Sequence, residues 1–233
     1  MYKRILLKLS GEQLQGKFDG GGIDAERVAW IAEEIKKVKD VEIVVMIGSG
    51  NLVRGTQVMG GGIRRVTGDN MGMLATMINA LALTDVFNSV GLATRALTNI
   101  TADQVLDQFT HRRALTHLEK NRVVVIGGGI GRPYFTTDTA AVNLALELDC
   151  DAIFKATKVD GVYDSDPAKN PSAKKFDKVS LKEAVENEDI RVMDKAAMAL
   201  AFDHSQPIVV FDLLTEGNIA KAAAGGAIGT VIS

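Results

Sequence analysis

Apolar positions in this chain arrive in short runs separated by longer segments with helical spacing. Nearly continuous runs at 4–9, 41–47, 93–97, 122–126, 152–155, 208–211 and 230–232 read as strands, and a strand apolar at successive positions is one buried on both faces. Between them the period changes. In "DAERVAWIAEEIKKVKD", Val28, Ile31, Ile35 and Val38 form one stripe, with Asp24 placed to cap the helix. Segment 69–90 is apolar on most sides and predicts a central buried helix. Further helices are predicted at 138–148, behind a capping box at Ser180 and Glu183, and at 194–204. This alternation implies an α/β fold, a three-layer αβα sandwich with a mostly parallel central sheet. Stretch 163–179 holds two of the four prolines and many charges; it predicts an excursion over the surface. No linker or repeat divides the 233 residues. One compact fold is expected, with an N-terminal lobe of about 1–150 and a C-terminal lobe of about 151–233.

Composition narrows the function classes. Lys and Arg total 27 and Asp and Glu 29, so the net charge is 27 − 29 = −2. That argues against a global basic footprint for nucleic acid. A lone cysteine, Cys150, forms no internal disulfide and fits a reducing compartment. His111, His117 and His204 lack metal-type spacing. The start, "MYKRILLKLSGE", is too polar for a signal peptide. The longest apolar-rich run, 71–83, is shorter than the ~20 residues that span a bilayer. A cytoplasmic protein, off the membrane, is expected.

Glycines carry the chemistry. They cluster where strands should end: "KLSGE" after the first run, "GSGN" after the second, "GGGIGRP" after 122–126. Ligands of open α/β sheets bind beyond the carboxyl ends of strands, and glycine there lets backbone N–H groups approach a phosphate. Each loop alone reads first as a tight strand–helix turn; three together favour a polyphosphate cleft. Neither common phosphate motif is present. The only Gly-Lys, Gly16-Lys17, is followed by Phe18, so there is no P-loop. Gly20, Gly22 and Ala25 match the dinucleotide fingerprint loosely, without a preceding strand. In "RPYFTTDTAA", Thr136, Thr137 and Asp138 open a helix, where they cap it or hold an anion. In "KATKVDGVYDSDP", Asp160-Gly161 signals a turn, Tyr163 is suited to stacking on a base, and Lys155 and Lys158 to meeting phosphates.

Together, "YKRILLKLSGE", "GDNMGMLATMINALAL", "PYFTTDTAA", "KATKVDGVYDSDP" and "RVMDKAAMALA" resemble the bacterial uridylate (UMP) kinases of the amino-acid-kinase superfamily. The resemblance covers nearly the whole chain. It implies an amino-acid-kinase-like fold, transfer of the ATP γ-phosphoryl group to UMP with Mg²⁺, a role in pyrimidine nucleotide biosynthesis, and a hexamer. It places UMP on the N-terminal lobe and ATP on the C-terminal one. Lys8, Leu9, Ser10 and Gly11 then meet the ATP phosphates, with Gly50 and Arg54 on the ATP side. Thr157, Tyr163 and Asp166 correspond to the ATP base and ribose region. Ser49 aligns with a UMP contact, Asp69 with the ribose ligand, and the UMP loop runs Ile130, Gly131, Arg132, Pro133, Tyr134, Phe135, Thr136 and Thr137. Asp194 matches another acidic position of the family. Regulation by GTP maps to 16–22. The chain departs from the pattern in reading "GSGN" where three glycines are common and "GIGRP" where Thr-Gly-Asn-Pro is.

A phosphate acceptor is already anionic, so no general base is required, and catalysis rests on positioning and electrostatics. Lys8 and Arg54 are the expected catalytic cations, with Lys155 a further candidate that nearby Lys158 could replace. Asp138 is expected to orient a lysine or to hold Mg²⁺ through water. No side chains are assigned as metal ligands. Another phosphate kinase of the superfamily, a nucleotide-binding sensor, and a nucleic-acid binder using "HRR" at 111–113 are the competing readings.

Overall fold

The structure, a computed structural model, describes residues 2–16, 22–53, 62–165, 170, 172–187, 190 and 192–233. β1 (Arg4–Leu9) lies between β2 (Glu42–Ile47) and β6 (Ala152–Thr157), in parallel with both. Outside β2 come β5 (Val123–Gly127), β3 (Thr94–Thr98) and the two-residue β4 (Asp107–Gln108). Outside β6 come β10 (Ile208–Asp212), β11 (Thr230–Ile232) and β9 (Lys178–Val179). Of these pairings only β10 with β11 is antiparallel. A separate ribbon pairs β7 (Val162–Tyr163) with β8 (Lys175–Phe176). The nine-stranded sheet is continuous across residues 150 and 151.

Strand alternation sorts the core into two layers. Leu6, Met46, Val124 and Ile153 point to one face, under α3 (His111–Leu118), α4 (Thr137–Glu147), α5 (Leu181–Glu186) and α6 (Lys195–Asp203). Ile5, Leu7, Val45, Val125 and Phe154 point to the other, under α1 (Ala25–Lys36), α2 (Arg65–Ser89) and α7 (Asn218–Ala223). Burial on both sides is why these strands are continuously apolar. Lys8 interrupts the pattern and shares the α4 face with Leu6.

All seven expected strands form, with ends moved by up to two residues. Asp24 caps α1, accepting from the Glu26 and Arg27 N–H groups, and Ser180 caps α5 by accepting from Glu183 N–H. β4, β7, β8 and β9 are two residues each, too short to carry a period, and escape sequence reading. α2 begins four residues before the expected start and runs for 25 residues. By length and composition alone it could cross a membrane, although the shorter run within it does not predict that; its inner face, Ala80, Leu83 and Phe87, is spent in the core. Its outer face leaves Leu74 and Ile78 half exposed. Cys150, between α4 and β6, is buried; removal from water pushes its thiol up to about 12, against an opposing pull from Arg4.

Candidate active site

β1 and β6 run side by side in register, with Lys8 opposite Lys155. Their side chains therefore leave the sheet together. Above them stands the first turn of α4, which carries Asp138. Its Oδ1 lies 2.7 Å from Lys8 Nζ and its Oδ2 2.8 Å from Lys155 Nζ. All three side chains are largely buried. Burial alone would raise the Asp138 carboxyl; Lys8 and Lys155 outweigh it and hold it below the ordinary carboxylate value. Lys155 is shifted down from a free lysine, first by burial and then by Lys8, with Asp138 opposing. It also donates to the Val192 carbonyl.

The backbone around this triad is packed tightly. After β1, Ser10 opens a short 3-10 turn, Gly11–Leu14, and its N–H donates to Gln13 Oε1 at 2.8 Å. Gln13 Nε2 reaches the Ala156 carbonyl at 2.9 Å, tying the turn to β6. Only glycine fits at 11: a Cβ there would come 2.4 Å from Asn51 Oδ1, 2.7 Å from Gly50 N and 2.8 Å from Gly48 O. The "KLSG" turn and the "GSGN" loop thus touch backbone to backbone. Leu9 is wholly buried, and its carbonyl accepts Gly48 N–H at 2.9 Å.

Beside the triad, a cavity of about 240 Å³ is lined by Ser49, Asp69, Ile130, Phe135, Thr136 and Thr137, all expected acceptor-side residues. Arg65, Met73 and Thr76 also line it. Arg65 Nε binds both Asp69 oxygens, at 2.9 and 2.8 Å. Its place four residues before Asp69 on a helix is the signal that could have found it. Asp69 Oδ2 also accepts Tyr134 N–H at 2.9 Å. The loop reaches that position with φ at +74° for Gly131 and +70° for Tyr134, strain a non-glycine residue bears only when its surroundings hold it. Ser49 Oγ donates to the Val53 carbonyl at 2.8 Å, so it meets the cavity with lone pairs. Ile130 packs partly against the core. Gly131, Arg132 and Pro133 continue the loop outwards, where Arg132 Nη1 bonds the Gly131 carbonyl at 3.1 Å.

Asp194, whose role the sequence left open, caps α6 by accepting from Ala196 and Ala197 N–H. It also accepts from Thr136 Oγ1 at 2.5 Å and Thr139 Oγ1 at 3.1 Å. Thr136 in turn caps α4, accepting from Asp138 and Thr139 N–H at 3.0 and 3.3 Å. One carboxylate therefore fixes two helix starts against each other, and with them Asp138.

Lys158 does not join the triad. It is exposed, 3.6 Å from Glu12, on the rim of a groove of about 1010 Å³ that Arg27, Trp30 and Leu214 also line. Thr157 lies two residues beyond Lys155 on β6 and bonds the Val159 carbonyl at 2.7 Å. Tyr163, in β7, donates to Asp160 Oδ1 at 2.6 Å. Arg54 and Asp166 lie outside the described residues.

A family model described as the amino acid kinase family matches residues 3–212. The fold is similar to a UMP kinase from Bacillus anthracis, at 39% identity and TM-score 0.94, covering 100% of this chain and 96% of that one. A UMP kinase from Ureaplasma parvum matches at 32% identity and TM-score 0.92, covering 100% and 99% of the two chains. A uridylate kinase from Archaeoglobus fulgidus matches at 28% identity and TM-score 0.76, covering 98% and 99%.

Proposed function

We propose, from the premise that this chain belongs to the amino acid kinase family, that it is a UMP kinase, converting ATP and UMP to ADP and UDP. The observation that carries this reading is Asp138 held between Lys8 and Lys155 at the start of α4, next to a cavity lined by Ser49, Asp69 and Thr137. Full-length similarity to two UMP kinases supports the choice of acceptor.

In this reaction a UMP phosphate oxygen attacks the γ-phosphorus of ATP, and the bond to the β,γ-bridging oxygen breaks, its electron pair leaving with ADP. The attacking oxygen is already anionic, so no side chain need take a proton. The barrier lies in bringing two polyanions together and stabilising charge as it moves to the leaving oxygen. Lys8 and Lys155 supply two positive charges from adjacent strands, and Asp138 keeps both ammonium groups aimed before substrate arrives. Such preorganisation spares reorganisation during the reaction. Asp69 takes the ribose hydroxyls, while Gly11 N–H after β1 and Thr137 N–H at the start of α4 face phosphate oxygens. Thr157 and Tyr163 bound the ATP side, with Arg54 and Asp166 completing it.

Mg²⁺ bound with ATP would neutralise charge on the phosphate oxygens. Among the described residues no three His, Cys, Asp or Glu side chains converge on a metal position; the ion would be held mainly by phosphates and water. The enzyme works in the cytoplasm, in pyrimidine nucleotide synthesis, as a homohexamer regulated by nucleotides near 16–22. The half-exposed Leu74 and Ile78 of α2, one turn apart on one face, favour self-association. Initial rates of ADP formation with UMP, CMP, dUMP and isopentenyl phosphate, with and without GTP and UTP, test this reading. UMP should be the preferred acceptor; equal or better turnover of a non-nucleotide phosphate refutes it.

A further inference from the structure

The sequence predicts a helix apolar on most sides, yet a polar line runs along α2 at helical spacing: Asp69, Thr76 and Asn79. Asp69 and Thr76 grip the loop after β5, and Asn79 grips the loop after β2. Asp69 accepts Tyr134 N–H at 2.9 Å, Thr76 Oγ1 accepts Gly128 N–H at 2.8 Å, and Asn79 Nδ2 donates to Gly48 O at 2.7 Å.

Asn79 is fully buried, where an amide is unfavourable unless its hydrogen bonds are met. It forms a reciprocal pair with Asn51: Asn79 Nδ2 donates to Asn51 Oδ1 at 2.8 Å, and Asn51 Nδ2 donates to Asn79 Oδ1 at 2.9 Å. Asn51 also donates from Nδ2 to the Gly22 carbonyl at 2.9 Å, and its own carbonyl accepts Gly22 N–H at 3.0 Å. Its Oδ1 occupies the space that a Cβ on Gly11 would need. One amide pair therefore contacts the "GSGN" loop, the backbone at Gly22 and the turn that follows Lys8. An aliphatic residue would fill the core as well; an amide matched to loop backbone specifies where the loops stand.

We infer that Asn79, acting through Asn51, is a positioning residue for phosphoryl transfer. The amide pair sets the spacing between the turn that follows Lys8 and the loop that carries Ser49 and Gly50. This rests on the proposed reaction, in which those two segments hold donor and acceptor phosphates. Asn79 itself reaches neither nucleotide; it acts on their separation, and a misplacement of about 1 Å can cost about 10²-fold in rate.

The test compares the wild-type full chain with Asn79→Ala, Asn51→Ala and the double variant. Amide hydrogen exchange should quicken at 11–14 and 48–53 and stay unchanged at Gly128. At a temperature well below each variant's melting point, kcat should fall by about tenfold or more, and the double variant should be no worse than the poorer single one. Binding of UMP alone, and of Mg²⁺ with a non-hydrolysable ATP analogue alone, should stay within about threefold by calorimetry. Unchanged exchange at 48–53 overturns the inference. So does a kcat close to wild type, or a loss of both affinities in parallel with kcat, which would mark a merely structural role. If Asn79→Ala does not fold, Asn79→Ser and Asn51→Ala are judged by the same readouts. A wild-type chain that forms no ADP from Mg·ATP and UMP refutes the reaction and the catalytic half of the inference, while exchange still decides whether the amide pair holds the loops.

Discussion

With Asp138 between two lysines, each member of the triad has a different cost of removal. Lys8→Ala leaves Lys155 to neutralise Asp138, so the chain should stay folded by circular dichroism while kcat falls by about 10²–10³; near-normal turnover would refute the role given to Lys8. Asp138→Asn leaves two buried ammonium groups facing each other, and losing one partner of a buried pair costs about 3–5 kcal/mol. The pH dependence follows from the shift. Asp138 titrates lower in the fold than at its ordinary 3.8, so its stabilisation is complete above that value and is lost as pH falls through the folded value. In denaturant titrations Asp138→Asn should be less stable than wild type at neutral pH, the gap closing in acid. Lys155 is also shifted down, by burial and by Lys8 against the pull of Asp138: its folded value lies below 10.5, so its charge is surrendered before a free lysine's. The alkaline limb of kcat/KM, which reports the free enzyme, should therefore fall below 10.5, and Lys155→Arg should move it upwards, because a guanidinium stays charged there. An unmoved limb would separate Lys155 from the chemistry.

At the scale of elements, the active site depends on how helix starts meet strand ends. Asp194 shows the dependence most simply. It caps α6 and binds the two threonines that start α4, so Asp194→Ala should cost about 1–2 kcal/mol, the range for a lost cap. It should also raise the KM for UMP more than that for ATP, because Thr136 and Thr137 line the cavity proposed for the acceptor; equal changes in both KM values would detach Asp194 from that cavity. Much at this scale was legible in the sequence. Apolar runs located the strands, and Thr136, Ser180 and Asp24 marked helix starts through the hydroxyl or carboxylate that accepts an orphan N–H. The polar line of α2 was not. Thr76 and Asn79 sit among methionines and alanines, and their polarity has meaning only against loops far away in the chain. The Asp138 bridge was half legible: each member stood out beside a glycine loop or helix start, but only the β1–β6 register sets the two lysines side by side.

For the whole molecule, one sheet carries both halves of the proposed site. β1 is its axis, paired with β2 and β6, the sides proposed for acceptor and donor, so neither half can lose its strands without taking Lys8 with it. In the proposed reaction, the division into lobes that sequence suggests would be a division of ligands around shared strands. Cys150 stands where that sharing begins, on the connection from α4 into β6, with its carbonyl held by Gln206 Nε2 at 3.1 Å. It is the chain's single thiol, enclosed and raised to about 12, and a thiol attacks only as thiolate. In native protein at neutral pH it should therefore ignore an aromatic disulfide reagent, then release one equivalent of chromophore per chain at the rate at which the centre of the sheet opens. A prompt reaction of the folded chain would contradict this. Otherwise one unremarkable sulfur atom serves as a stopwatch for the opening of the fold, with no label added and no residue of the active site disturbed.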